Sequence, residues 1–228
     1  AGETGAGGVD SATPSPFKWP SLPRLGLLMI DWQSDFLDDG GFGAALGNDV
    51  RPLQNAVPAA AAVLAAAREK GIFIAHTLEA HAPDLADCPK NKRARCDKIG
   101  SVMDPERGRM LVKGEPGNAI VPALAPRPGE LLVHKPGKGA FWNTGLEAAL
   151  RARGVTHLLV TGVTTEVCVQ STVREANDRG FDCLVVADAT ESYFPAFKQA
   201  TLEMLVAQGG IVGWTADSAQ VVASLRAA

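Results

Sequence analysis

From Leu25 onward, short apolar runs alternate with stretches in which apolar residues recur at helical spacing. The runs at 25–31, 72–77, 130–135, 156–161, 182–187 and 210–214 predict strands. The periodic stretches at about 50–70, 143–153, 166–179, 194–207 and 217–226 predict helices. Lys70-Gly71, Arg153-Gly154, Arg179-Gly180 and Gln208-Gly209-Gly210 each put glycine where a helix closes into the next strand. Strands that are apolar throughout and separated by helices predict a parallel sheet covered on both faces, hence an α/β fold. Ligands in such folds gather at the carboxyl ends of the strands.

Two segments depart from this rhythm. Residues 1–23 read as an N-terminal arm, because positions 1–16 are rich in Gly, Ala, Ser and Pro and have little to bury. Residues 24–228 then form one domain, the simplest reading of a 228-residue chain. Residues 78–117 carry His81, Asp84, Asp87, Lys90, Lys92, Arg93 and Arg95 with little strand or helix pattern. A long loop of this kind is expected to be a lid or a subunit interface.

Composition narrows the function classes. A net charge of −3 without a Lys/Arg stripe excludes nucleic acid and anionic membrane as main partners. No apolar run approaches the roughly 20 residues of a membrane span. The four cysteines, Cys88, Cys96, Cys168 and Cys183, include no C-x-x-C pair, so a reducing, cytoplasmic compartment is expected rather than a disulfide scaffold. The chain starts without Met, which leaves an upstream targeting segment open.

Three apolar runs end in chemistry. Leu27-Leu-Met-Ile-Asp31 stops at an acid, Leu131-Leu-Val-His-Lys135 at an amine, and Val160-Thr-Gly-Val-Thr-Thr-Glu-Val-Cys168-Val leads through a Gly/Thr turn to a thiol at a helix start. Free N–H groups and the positive end of the helix dipole there favour a thiolate and an oxyanion. Each residue also has a bland reading: a lone cysteine is usually a small core hydrophobe, a strand-end Asp usually caps a turn, and a lysine is usually solvated. Lys138 is expected in solvent and Cys183 in the packing of its strand. None of His76, His81, His134 and His157 is placed as a partner for a papain-type Cys/His pair.

Taken together, Ile30-Asp31-Trp-Gln-Ser-Asp-Phe36, Lys135-Pro-Gly-Lys-Gly-Ala-Phe141 and Thr161-Gly-Val-Thr-Thr-Glu-Val-Cys168-Val resemble the isochorismatase-like cysteine hydrolases from about Arg24 onward. The resemblance implies a three-layer αβα sandwich with a mainly parallel, Rossmann-like sheet, and a catalytic triad of Asp31, Lys135 and Cys168. It also implies a cis peptide before Thr164, with the Thr164 and Cys168 amides as oxyanion donors. Nicotinamidases of this superfamily carry an Asp/His metal site. Here His76 and His81, with Glu79 between them, match no common zinc spacing, so no metal and no cofactor are expected.

Within the family the chain looks most like the biuret and triuret hydrolases. That likeness implies a small ureido or amide substrate contacted by Gln208, walled by Phe36, Phe42 and Phe141, with Tyr193 at its far end. Gln208 could both donate to and accept from a neutral ureide. Trp32 and Trp142 adjoin the key loops and are expected to narrow the pocket. A homo-oligomer, tetramer or dimer, is expected by the same likeness. The alternatives are another amidase of the family, of N-carbamoylsarcosine, ureidoacrylate or nicotinamide type, and a non-catalytic ligand-binding or thiol-redox protein on the same fold.

Overall fold

Six strands, β1 (Leu25–Ile30), β2 (Phe73–Glu79), β3 (Leu131–Lys135), β4 (His157–Val163), β5 (Asp182–Glu191) and β6 (Trp214–Ala216), form one sheet in the order β3-β2-β1-β4-β5-β6. Every neighbouring pair is parallel. The computed structural model describes residues 16–228. The expected αβα architecture is present, with helices on both faces of the sheet.

Strand β1 is buried along its whole length, which is why it reads as an unbroken apolar run. Alternate residues supply two cores. Leu25, Leu27 and Met29 pack with α4 (Val57–Glu69) and α9 (Ser218–Ala227). Leu28 and Ile30 pack with α6 (Leu146–Ala152), α7 (Gln170–Asp178) and α8 (Pro195–Gly210). Helix starts and stops follow local chemistry: Asp217 and Gln220 form a capping box on α9, while Gly71, Gly154 and Gly180 close three helices at φ 63°, 70° and 77°.

Several boundaries differ from expectation. The helix predicted over 50–70 is two, α3 (Arg51–Asn55) and α4, because Pro58 has no N–H to carry the hydrogen-bond ladder across Ala56. The last strand is Trp214–Ala216 rather than 210–214. Helix α8 (Pro195–Gly210) leaves helical geometry at Ala207–Gly209, with Gln208 at φ 55° and Gly209 at φ 78°, where the glycines were expected to close it, and the Val212 and Gly213 amides close onto Leu205 O. Two short helices, α1 (Ser34–Leu37) and α2 (Phe42–Ala45), follow β1.

The 78–117 stretch is bound to its own chain. It contains α5 (Lys90–Arg95), and Arg107 donates to Ser34 O and Asp38. Of the predicted arm, Phe17 makes edge contacts with Trp19, His157 and Trp214. Residues 1–15 lie outside the described residues.

The strand order reverses between β1 and β4. At such a reversal the connecting loops part and leave a crevice at the carboxyl ends of the strands.

Candidate active site

Four adjacent strands deliver one functional group each to that crevice. Asp31 follows β1, Glu79 and Lys135 end β2 and β3 in register with each other, and Cys168 follows β4. All four are buried. Gly162 lets β1 and β4 approach: it sits at φ 142°, and a Cβ there would meet Ile30 O at 2.4 Å.

Asp31 sits at φ 52°, its amide donating to Thr77 O. Thr77 Oγ1 in turn donates to Asp31 Oδ1 at 2.5 Å. Oδ2 forms a fully buried ion pair with Lys135 Nζ at 2.7 Å. Lys135 is further held by Gly137 O at 3.1 Å and Lys138 O at 2.9 Å. Burial pushes the Lys135 ammonium down, but Asp31, Cys168 and Glu79 hold it above its ordinary value. It stays charged.

Cys168 lies in a single π-helical turn, Thr165–Val169, that leads into α7. Such turns recur at functional sites because the extra residue re-aims a side chain. The Val163–Thr164 peptide is cis, as the motif implies. Cys168 Sγ lies 3.8 Å from Glu79 Oε2, and one oxygen each of Asp31 and Glu79 lies within 4.8 Å of it and of the other. Burial pushes the thiol up; Lys135 and Lys138 pull it back, and Asp31 and Glu79 add to the rise. Burial thus opposes the thiolate expected from the helix start, and the two lysines support it.

Glu79 is the residue that sequence reasoning missed. Lys92 Nζ meets its Oε1 at 2.6 Å, and Lys138 Nζ meets Oε1 and Oε2 at 2.9 and 3.1 Å. Burial raises the carboxyl, but Lys138, Lys135 and Lys92 hold it down to about 2. Gln33 and Asn118 fix its backbone. Lys138 is exposed, as expected, but its ammonium reaches Glu79, and Lys92 enters the site from the 78–117 stretch. The signal was available: Phe73-Ile-Ala-His-Thr-Leu-Glu79 is a fourth apolar run ending in a charge.

Asp31, Glu79 and Cys168 converge as three potential metal donors. Three ammonium groups face them, so a divalent cation would enter a site already neutralised. His76 pairs instead with Glu130, and His81 contacts Lys92 and Asp87. This donor set does not fit a metal. With the thiol neutral, the three lysines exceed the two carboxylates by one charge, which suits an anion forming at Cys168.

A cavity of about 220 Å³ opens onto Cys168, lined by Phe36, Phe42, Asn48, Thr164, Glu166, Tyr193 and Phe194 among others. Phe36 and Phe42 meet edge to face at 6.0 Å. Tyr193 donates its hydroxyl to Phe36 O at 2.8 Å. Phe141 is not a wall: it packs in the core against Phe181, with Arg179 over its ring. Gln208 is exposed and not in the lining, since α8 starts beside the cavity at Phe194 and Gln208 lies at its other end. Trp32 is buried, donating to Thr161, and Trp142 is exposed beside Gly137, so neither narrows the cavity. Cys183 is buried within β5, as expected.

The isochorismatase domain family matches residues 26–217 of this chain. The chain belongs to the isochorismatase family. It is 32% identical over 220 residues to the ureidoacrylate amidohydrolase RutB of Methylorubrum extorquens, covering 94% of this chain and 87% of that protein. It is 34% identical over 206 residues to the same enzyme of Stutzerimonas stutzeri, covering 83% and 82%. Among solved structures, an isochorismatase family protein from Desulfovibrio vulgaris superposes with a TM-score of 0.74 at 29% identity, covering 89% of this chain and 98% of that one. Family membership agrees with the three motifs that pointed to it.

Proposed function

We propose that this protein is a cysteine amidohydrolase that cleaves a C–N bond of a small linear ureide through an acyl-thioenzyme. The single observation that carries the reading is the buried cluster of Asp31, Lys135 and Cys168 at the strand ends beneath one cavity. The relatives named as ureidoacrylate amidohydrolases support a ureide-type substrate.

Cys168 Sγ attacks the amide carbonyl as Asp31 Oδ2 takes the thiol proton. Glu79 is the poorer acceptor, since its lysines hold its carboxyl at about 2. The Thr164 and Cys168 amides receive the oxyanion, with the surplus cationic charge nearby. Asp31 returns the proton to the departing nitrogen, which leaves as ammonia. Water then attacks the thioester, Asp31 takes its proton, and the carboxylic product and the thiol are released. Biuret would give allophanate and ammonia. Phe36, Phe42 and Tyr193 wall the planar substrate; with Gln208 outside the cavity, the choice among biuret, triuret and other ureides rests on the lining itself.

We propose further that the protein is a homo-oligomer, because α8 and the residues beside it expose Phe194, Phe197, Met204 and Ile211. Ammonia release from biuret, triuret, N-carbamoylsarcosine, ureidoacrylate and nicotinamide, with loss of isochorismate assayed alongside, tests the function. A ureide should be the best substrate. Preference for isochorismate or nicotinamide would reject the reading.

A further inference from the structure

One wall of the cavity carries a charge that the triad does not use. Glu166 lies two residues before Cys168 in the π-helical turn and lines the same cavity. Its Oε2 is closed from solvent and accepts no hydrogen bond. No ion pair reaches Glu166 among the described residues. Every other charged group in the lining is partnered: Glu79 and Lys138 hold each other, and Lys92 backs them. Glu166 is only partly buried, so the carboxylate that lines the cavity presents an acceptor, without an ion-pair partner of its own, to a ligand that brings a donor.

Resting on the ureide reading above, we propose that Glu166 is the specificity-determining residue of this cavity. It accepts N–H groups from the part of the substrate that does not react, and it repels substrates that carry a carboxylate there. The donor is a carbamoyl or ureido NH₂, uncharged and rich in N–H. Two features agree. Beside the polar Asn48, Thr164 and Tyr193 the lining is largely apolar (Phe36, Phe42, Val163, Val167, Phe194), and its one cation, Lys138, is already held by Glu79. The cationic surplus lies in the cluster at Cys168, where negative charge develops on the carbonyl oxygen, and Lys138 already spans both oxygens of Glu79. The charge of Glu166 also reaches the Tyr193 phenol, which places it beside the aromatic wall. The selectivity expected is therefore opposite in charge to the acid-bearing substrate named for the curated relatives.

The test compares biuret, uncharged with an amide at each end, and ureidoacrylate, which ends in a carboxylate. Both are assayed by ammonia release with the wild type and with Glu166→Gln, which keeps the size and removes the charge. The wild type should favour biuret. Glu166→Gln should lose about 10- to 100-fold in kcat/KM on biuret, mainly through KM, and narrow the biuret-to-ureidoacrylate ratio by about tenfold or more. Glu166→Asp, which keeps the charge on a shorter arm, should preserve the preference against the acid and reports on the charge if the glutamine variant folds poorly. Turnover of either substrate with the same ratio in wild type and both variants would overturn the role of Glu166 alone. No ammonia from either substrate with the wild type would overturn the amidohydrolase reading and this assignment with it.

Discussion

The division of labour between two buried carboxylates decides the chemistry at the residue scale. Asp31 pairs with one lysine, Lys135, whereas Glu79 is pinned by Lys92 and Lys138. Asp31→Asn should lower kcat by about 10²- to 10⁴-fold, measured by ammonia release on protein that circular dichroism shows to be folded. Glu79→Gln should act mainly on stability. It leaves two ammonium groups around a neutral amide, a loss of about 3–5 kcal/mol in urea denaturation. An unchanged midpoint would show that Glu79 does not hold the lysines in place. Asp31, Lys135 and Cys168 were legible because each ends an apolar run. Glu79 ends such a run too but was missed because the predicted strand stopped at 77, and its partner Lys92 comes from a distant segment with no pattern. Gln208 and Phe141 were misplaced because likeness transfers a residue without its surroundings: one rides away on α8, and the other turns into the core.

At the scale of elements, the site depends on how closely β1 and β4 approach. A methyl group on Gly162 would strike Ile30 O, so Gly162→Ala should cost about 1–3 kcal/mol and reduce activity by shifting Asp31 against Cys168. Chemical denaturation and kcat measured on one preparation check both effects; full activity at wild-type stability would contradict the close approach. Thr77→Val removes the hydroxyl that donates to Asp31 Oδ1 and should lower kcat about tenfold with little change in KM. Five of the six strands were readable from apolar runs; β6 shares only Trp214 with the predicted run, and the π-helical turn at Cys168 has no signature in spacing alone.

The whole molecule carries buried acids and histidines whose titration sets its acid limit. Glu79 and Glu130 are both held down to about 2, Glu79 against its own burial by Lys138, Lys135 and Lys92, and Glu130 against its own by Arg68, the Arg127 amide and His76. Their folded values lie below the roughly 4.3 of an unfolded Glu, so their contribution is full above that value and is lost as pH falls toward 2. His76 is pushed down by burial despite Glu130, which favours its neutral ring in the fold. Loss from this group begins as pH falls below about 6.5. The Tm should decline gently below that point and steeply below about 4.3; a Tm unchanged to pH 3 would contradict the ion-pair assignments. Sedimentation should give a mass above the 23.8 kDa of one chain, and a fully active monomer at micromolar concentration would contradict the proposed oligomer.

The central claim is the thioester on Cys168. Wild-type enzyme mixed with biuret, quenched in acid before steady state and digested, can be weighed peptide by peptide. The peptide holding Cys168 should gain the mass of the substrate less ammonia, and Cys168→Ser should show neither that adduct nor ammonia release at the wild-type rate. Ammonia released at the wild-type rate by the serine variant, with no adduct on Cys168 in the wild type, would contradict the account.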